Sequence, residues 1–131
     1  MRFEEFNKEA ELRATVRDKE YTIAKVRSVP PMGPGIFAVM TDGHEISVVA
    51  EVDHELDVLE EERPLRIISF EMAMPFDLIG FLGYITKLLA DHNISLFAIS
   101  TFSTDHILMK EMFLEKAVQV LRDANVKVEQ K

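Results

Sequence analysis

Residues 94 to 110, Ile-Ser-Leu-Phe-Ala-Ile-Ser-Thr-Phe-Ser-Thr-Asp-His-Ile-Leu-Met-Lys, constrain the fold more than any other stretch of this chain. Two apolar runs rich in β-branched and aromatic residues meet at a tight polar corner, Ser103-Thr104-Asp105. Such a pattern predicts two antiparallel strands, with one carboxylate and two hydroxyls gathered at their turn. The strands need a covered face, and the flanking sequence offers two amphipathic segments to supply it. Phe76 to Asn93 carries Leu78, Phe81, Leu82, Ile85, Leu88 and Leu89 at helical spacing. Met112 to Ala124 carries Phe113, Ala117, Val120 and Leu121 in the same way, with Asn93 and Asn125 placed to end the two helices. Strands at Leu65 to Met72 and Val126 to Glu129 complete the order strand, helix, strand, strand, helix, strand. That order predicts an α+β, ferredoxin-like open-faced sandwich.

The first half is strand-rich and has no comparable helices. Leu12, Ala14 and Val16 alternate with polar residues, and the alternation resumes from Tyr21 to Val29, which predicts a hairpin. Phe3 and Phe6 suggest a short helical lead-in. Residues 30 to 35, Pro-Pro-Met-Gly-Pro-Gly, hold three of the five prolines and form a loop. Ile36 to Met40 and Glu45 to Val52 predict a second hairpin about Thr41-Asp42-Gly43-His44, where Asp-Gly supplies the positive-φ turn. Residues 53 to 64 are acidic and are expected to link the halves, with Glu60-Glu61-Glu62 solvated. The expected division is therefore 1–62, an abbreviated strand-rich unit with its linker, and 63–131, the complete α+β unit.

Composition narrows the function. The 131 residues contain no cysteine, which excludes thiolate metal sites, disulfides and thiol catalysis. The net charge of −8 disfavours nucleic acid or anionic membrane as a partner. No apolar run reaches the roughly 20 residues needed to span a bilayer, and the first residues lack a secretion-signal layout, so a cytoplasmic location is expected. His44, His54, His92 and His106 include no helical i, i+4 pair, so no metal site is expected. No nucleophile elbow, P-loop or dinucleotide loop is present, and no cofactor or catalytic residue is expected. An acyl-phosphate hydrolase of this topology would need an arginine between Met74 and Gly80, and none is there.

Three segments, Phe76-Asp77-Leu78-Ile79-Gly80-Phe81-Leu82, residues 94 to 102, and Thr104-Asp105-His106-Ile107-Leu108-Met109-Lys110, together resemble the ACT domain. The resemblance is to the branch shared by small stand-alone ACT proteins, the regulatory part of aspartate kinases and a cytosolic arginine sensor. Glu45-Ile46-Ser47-Val48-Val49 is similar to the strand that the stand-alone proteins use from a truncated first ACT unit. The resemblance implies a non-catalytic protein that binds an amino acid between two ACT-like units and forms a homodimer. It implies that Pro75, Phe76, Asp77, Leu78, Ile79 and Gly80 approach the ligand carboxylate. Backbone amides at a helix start favour an anion there. Ser47 and Val48 would add main-chain groups, and Asp105 would take the ammonium group, with Thr104 beside it among the ligand-binding residues. Ser103 stands where many relatives carry Asp, leaving one negative charge fewer. Read without the resemblance, Asp105 is more readily an Asx-turn residue than a ligand group, the resemblance bringing the two level, and Gly80 and Gly83 compete as helix–sheet packing positions. An assembly module without a ligand is the competing function.

Overall fold

In a computed structural model the described residues are 2–3, 11–71 and 78–130. In chain order the elements are β1 (Arg13–Val16), β2 (Tyr21–Val26), β3 (Ile36–Thr41), β4 (Ile46–Glu51), β5 (Val58–Phe70), α1 (Phe81–Ala90), β6 (Phe97–Ser100), β7 (Asp105–Lys110), α2 (Leu114–Asp123) and β8 (Lys127–Gln130). A single 3₁₀ turn, Glu111–Phe113, leads into α2. They form two compact units: Lys19–Leu65, and Met1–Asp18 together with Arg66–Lys131. The division is thus not one break near residue 62, because the segment carrying β1 belongs with the second half.

In the unit Lys19–Leu65, β2 lies between β4 and the first part of β5, and β3 pairs with the outer side of β4, all antiparallel. Ala24, Val26, Val48 and Ala50 form its buried core, with Ile36, Val39, Leu56 and Val58 packed against it. The β3–β4 turn is the expected one. Gly43 takes φ 91°, and Asp42 Oδ1 accepts from the amides of His44 at 2.8 Å and Glu45 at 3.0 Å. Those two amides hold the Asp42 carboxyl below its ordinary range.

Two expectations for this half are corrected. β1 and β2 do not form a hairpin: β1 pairs with β5 and β8, and β2 with β4 and β5. Local alternation identifies a strand but not its partner, and the buried Leu12, Ala14 and Val16 pack in the other unit's core. Residues 53 to 64 are not simply a linker either, since from Val58 onward they are strand. Glu60, Glu61 and Glu62 sit in register with Lys25, Ala24 and Ile23 of β2. Pro64 brings no donor to the ladder, and the register shifts by a bulge between Tyr21 and Ile23. Glu60 and Glu62 remain exposed, but Glu61 is half-buried. Its Oε2 accepts from Thr22 Oγ1 at 2.9 Å and meets His54 Nε2 at 3.0 Å. His54 Nδ1 accepts from the Leu56 amide at 3.0 Å, so Nε2 is the nitrogen that donates to Glu61.

In the second unit the strand order is β6-β7-β5-β1-β8. The sequence β5-α1-β6-β7-α2-β8 is the expected ferredoxin-like α+β unit, with one addition. β1 inserts between β5 and β8, antiparallel to the former (Val16↔Ile68) and parallel to the latter (Ala14↔Val128). Four contiguous strands drawn from residues 65–131 alone are therefore not what forms. The insertion is favoured because Ala14 and Val16 join Ile68, Phe70, Ile107, Met109 and Val128 in one buried cluster with both helices. α1 buries Phe81, Ile85 and Leu89, spaced four apart, and α2 buries Ala117, Val118, Val120 and Leu121. Asn93 (φ 62°) and Asn125 (φ 66°) take left-handed conformations just past the helices, as their placement predicted. Of the N-terminal lead-in, Phe3 is buried, with its ring centroid 5.4 Å from Phe81; Phe6 lies outside the described residues. No helix among the described residues is long and apolar enough to cross a membrane.

Glu61 supplies a test of the strand assignment. His54 first, then Thr22 and Arg63, hold its carboxyl below the ordinary value of 4.5. A depressed carboxylate stabilises the fold above its unfolded pKa, and that stability is lost as pH falls through the folded value. Glu61→Gln is expected to cost about 1 kcal/mol at neutral pH, discounted for partial exposure. Denaturation midpoints measured from pH 7 to 3 should show the variant with a shallower acid slope.

Candidate functional site

The start of α1 and the β6–β7 corner face one groove. Its volume is about 300 Å³, and it is lined by Leu78 and Gly80 to Gly83 on one side and Ser100 to Asp105 on the other. The helix side begins later than the periodicity suggested. Gly80, at φ 99° and ψ −3°, is the N-cap, so the helix starts at Phe81 rather than Phe76. A residue in the left-handed region cannot continue a right-handed helix, and glycine is the residue that adopts it without strain. Gly80 has no side chain to cap the helix, and the amides of the first turn have no intrahelical acceptor. With the positive end of the helix dipole, they make this wall attractive to an anion.

The corner side carries the opposite charge. Asp105 is paired in register with Ser100 and accepts a short hydrogen bond from its hydroxyl. The turn itself is closed by other groups: the Thr101 amide donates to the Thr104 carbonyl at 2.9 Å, and the Thr104 amide returns to the Thr101 carbonyl at 3.4 Å. Asp105 therefore does not act as an Asx-turn residue. Among the described residues its carboxylate makes no hydrogen bond other than that to Ser100, which leaves acceptor capacity toward the groove. Among the described residues it is the only titratable side chain in the lining, and Phe102, 89% exposed, adds an aromatic edge.

Behind the corner lies a buried polar chain that the sequence reading did not single out. Arg17 Nε donates to Ser69 Oγ at 3.1 Å, Ser69 Oγ meets His106 Nδ1 at 2.8 Å, and His106 Nε2 meets Thr101 Oγ1 at 3.0 Å. Thr101 Oγ1 donates onward to the Thr104 carbonyl at 3.2 Å. The one sequence signal for it was a histidine opening an otherwise apolar strand.

The site residues expected from sequence are distributed as follows. Leu78, Gly80, Thr104 and Asp105 line the groove together. Ile79 beside them is half-exposed and bridges to Arg2, with its carbonyl accepting from the Phe3 amide at 2.7 Å. Pro75, Phe76 and Asp77 lie outside the described residues. Ser47 and Val48 sit in mid-β4, paired with β2 on one side and β3 on the other, so their main-chain groups serve the sheet. Gly83 is corrected: among the described residues a Cβ there would meet nothing within 4 Å, so their packing does not require glycine. For Gly80 the backbone angle, not crowding, is decisive, since among the described residues a Cβ would meet only Phe3, at an ordinary 3.8 Å.

A larger cavity, about 650 Å³, lies in the unit Lys19–Leu65, between the Pro/Gly loop and residues 50–57. Among the described residues its lining includes Glu51, Asp53, His54, Glu55 and Asp57 and no lysine or arginine, a balance unfavourable to a carboxylate. The smaller groove has donors at one end and a carboxylate at the other.

Comparison with known proteins agrees with this architecture. Residues 60–123 match the ACT domain family model. Among solved structures, a protein from Agrobacterium tumefaciens superposes with a TM-score of 0.78 at 21% identity, covering 93% of this chain and 95% of that one. The aspartokinase alpha and beta subunits give a TM-score of 0.65 at 14% identity, over 88% and 98% of the two chains. The ligand-free regulatory subunit of aspartate kinase from Thermus thermophilus gives 0.62 at 8% identity, over 85% and 95%. At these identities the likeness is one of fold. No curated protein matches the chain.

The two glycines should respond oppositely to alanine. Gly80→Ala forces a side chain into left-handed φ and is expected to cost about 1–2 kcal/mol. Gly83→Ala should stabilise by about 0.5 kcal/mol, because it removes a glycine from the first turn of the helix with no clash among the described residues. Chemical denaturation of both variants checks this.

Proposed function

We propose that this chain is a non-catalytic regulatory protein whose ACT domain binds a free amino acid in the groove between the start of α1 and the β6–β7 corner. The observation that carries the reading is the pairing, across one groove, of first-turn helix amides with the Asp105 carboxylate. An α-amino acid presents an anion and a cation on one carbon, and each finds its complement here. Leu78, Leu82 and Phe102 leave apolar wall for a side chain. The volume of about 300 Å³ suits a ligand of that size. Binding would act by favouring one packing or assembly state over another.

The same reading makes the protein a cytoplasmic homodimer with neither nucleic acid nor membrane as partner, in keeping with its net charge of −8. Light scattering tests the dimer. The second reading, an assembly module without a ligand, is favoured by Phe102, an aromatic side chain exposed at the corner itself.

A thermal-shift screen of the twenty amino acids separates the two. A ligand that binds only the folded state at 100 times its Kd adds about 2.7 kcal/mol of stability. One amino acid, or a chemically related group, should raise the midpoint; no response from any of them leaves the assembly reading. Asp105→Asn keeps an acceptor for Ser100 but removes the charge. Loss of a hydrogen bond to a charged group, about 1.5–3 kcal/mol, should weaken binding roughly tenfold to hundredfold by calorimetry. Equal affinity of both proteins would remove Asp105 from the site.

A further inference from the structure

The polar chain behind the groove has a fixed direction. Arg17 Nε can only donate, so Ser69 Oγ receives that proton. Ser69 is completely buried, and its hydroxyl has only Arg17 and His106 as partners among the described residues. The hydroxyl proton must therefore go to His106 Nδ1, which makes Nδ1 the acceptor. On the other side Thr101 gives its hydroxyl proton to the Thr104 carbonyl, so the proton between Thr101 and the ring sits on Nε2. Among the described residues one tautomer satisfies every donor: neutral imidazole with hydrogen on Nε2.

We infer that His106, as this neutral Nε2–H tautomer, is a positioning residue for the ligand groove, and that the groove releases its ligand when His106 takes up a proton. The inference rests on the reading of the groove as an amino-acid site. His106 itself is buried and does not line the groove; Thr101, Thr104 and Asp105 do. The ring holds Thr101, and Thr101 holds the Thr104 carbonyl, so the residue immediately before Asp105 is set by the imidazole. An imidazolium would donate from both nitrogens. Ser69 would then face two donors, and its own buried proton would have no acceptor.

The surrounding charges act in the same direction on balance. Burial and Arg17, at the end of β1, disfavour the cation, while Asp105 on the same strand and Glu71 just past β5 favour it less strongly. The ring is thus held below the ordinary histidine value of 6.5. A folded-state pKa below the unfolded one means that the neutral form stabilises the fold above the unfolded value. That contribution is lost as pH falls through the folded value, and ligand affinity should follow it.

Nitrogen NMR of the full chain without ligand tests the positioning directly. Expected are a protonated Nε2, an unprotonated Nδ1, and amide shifts of Thr101 to Asp105 that titrate with the ring between pH 8 and 5. An Nδ1–H tautomer, or corner amides that ignore the ring's titration, overturns the inference. The second arm uses a mixture of the twenty L-amino acids as probe and follows the thermal shift over the same pH range. Apparent affinity should fall at least tenfold on acidification in the native protein. In His106→Gln, whose amide still reaches Thr101 but does not titrate, the residual binding should be independent of pH; identical profiles overturn the inference. If no amino acid stabilises the native protein at any pH, the ligand reading fails, and with it the release step, while the NMR arm still decides the positioning role. Should His106→Gln not fold, Ser69→Ala replaces it: without the donor to Nδ1 the ring should titrate at higher pH, and an unchanged titration overturns the inference.

Discussion

Everything proposed for the groove depends on where α1 begins, and that is settled by Phe81. Its ring is buried against Phe70 of β5, with centroids 5.2 Å apart, and against Phe3, at 5.4 Å, both edge to face. Such contacts add to the burial of large apolar area and hold the first helical residue against the sheet. Gly80 then turns the chain through left-handed φ immediately before it. The first turn of the helix thereby lines the groove, with Gly80 contributing no side chain of its own. An anion-attracting wall here is a by-product of aromatic packing one residue away.

The opposite wall is built on different physics. The corner Thr101 to Thr104 is closed by backbone hydrogen bonds and buttressed by a buried imidazole, so the carboxylate it presents does not have to hold the turn together. The larger cavity in the other unit gathers Glu51, Asp53, Glu55 and Asp57 in its lining, which disfavours the anionic end of an amino acid there. Complementary charge at the two ends distinguishes the smaller groove.

How far the chain could be read without coordinates varies with the range of the interactions involved. The β3–β4 turn, the β6–β7 hairpin and the asparagine helix ends were legible because each is written in a few adjacent residues: Asp42-Gly43, the polar corner at 103 to 105, Asn93 and Asn125. The start of α1 was misplaced because Leu78 continues the apolar period although the backbone does not. Glu60 to Glu62 suggested a solvated linker because composition cannot tell an exposed strand edge from a loop.

What the sequence determined by itself, then, is the set of elements, their order and the chemistry available at one corner, because periodicity, turn residues and charge are local properties. Tertiary structure alone decided that β1 leaves the half in which it is written and lies between β5 and β8, since only burial of Ala14 and Val16 beside Ile68 and Val128 reveals the partner. It alone placed Gly80 and Asp105 on one groove. It also brought Arg17, Ser69 and His106, far apart in the chain, into one directed line of hydrogen bonds. Buried polar groups must find partners wherever the fold puts them, and that requirement acts through space, where no window of sequence can see it.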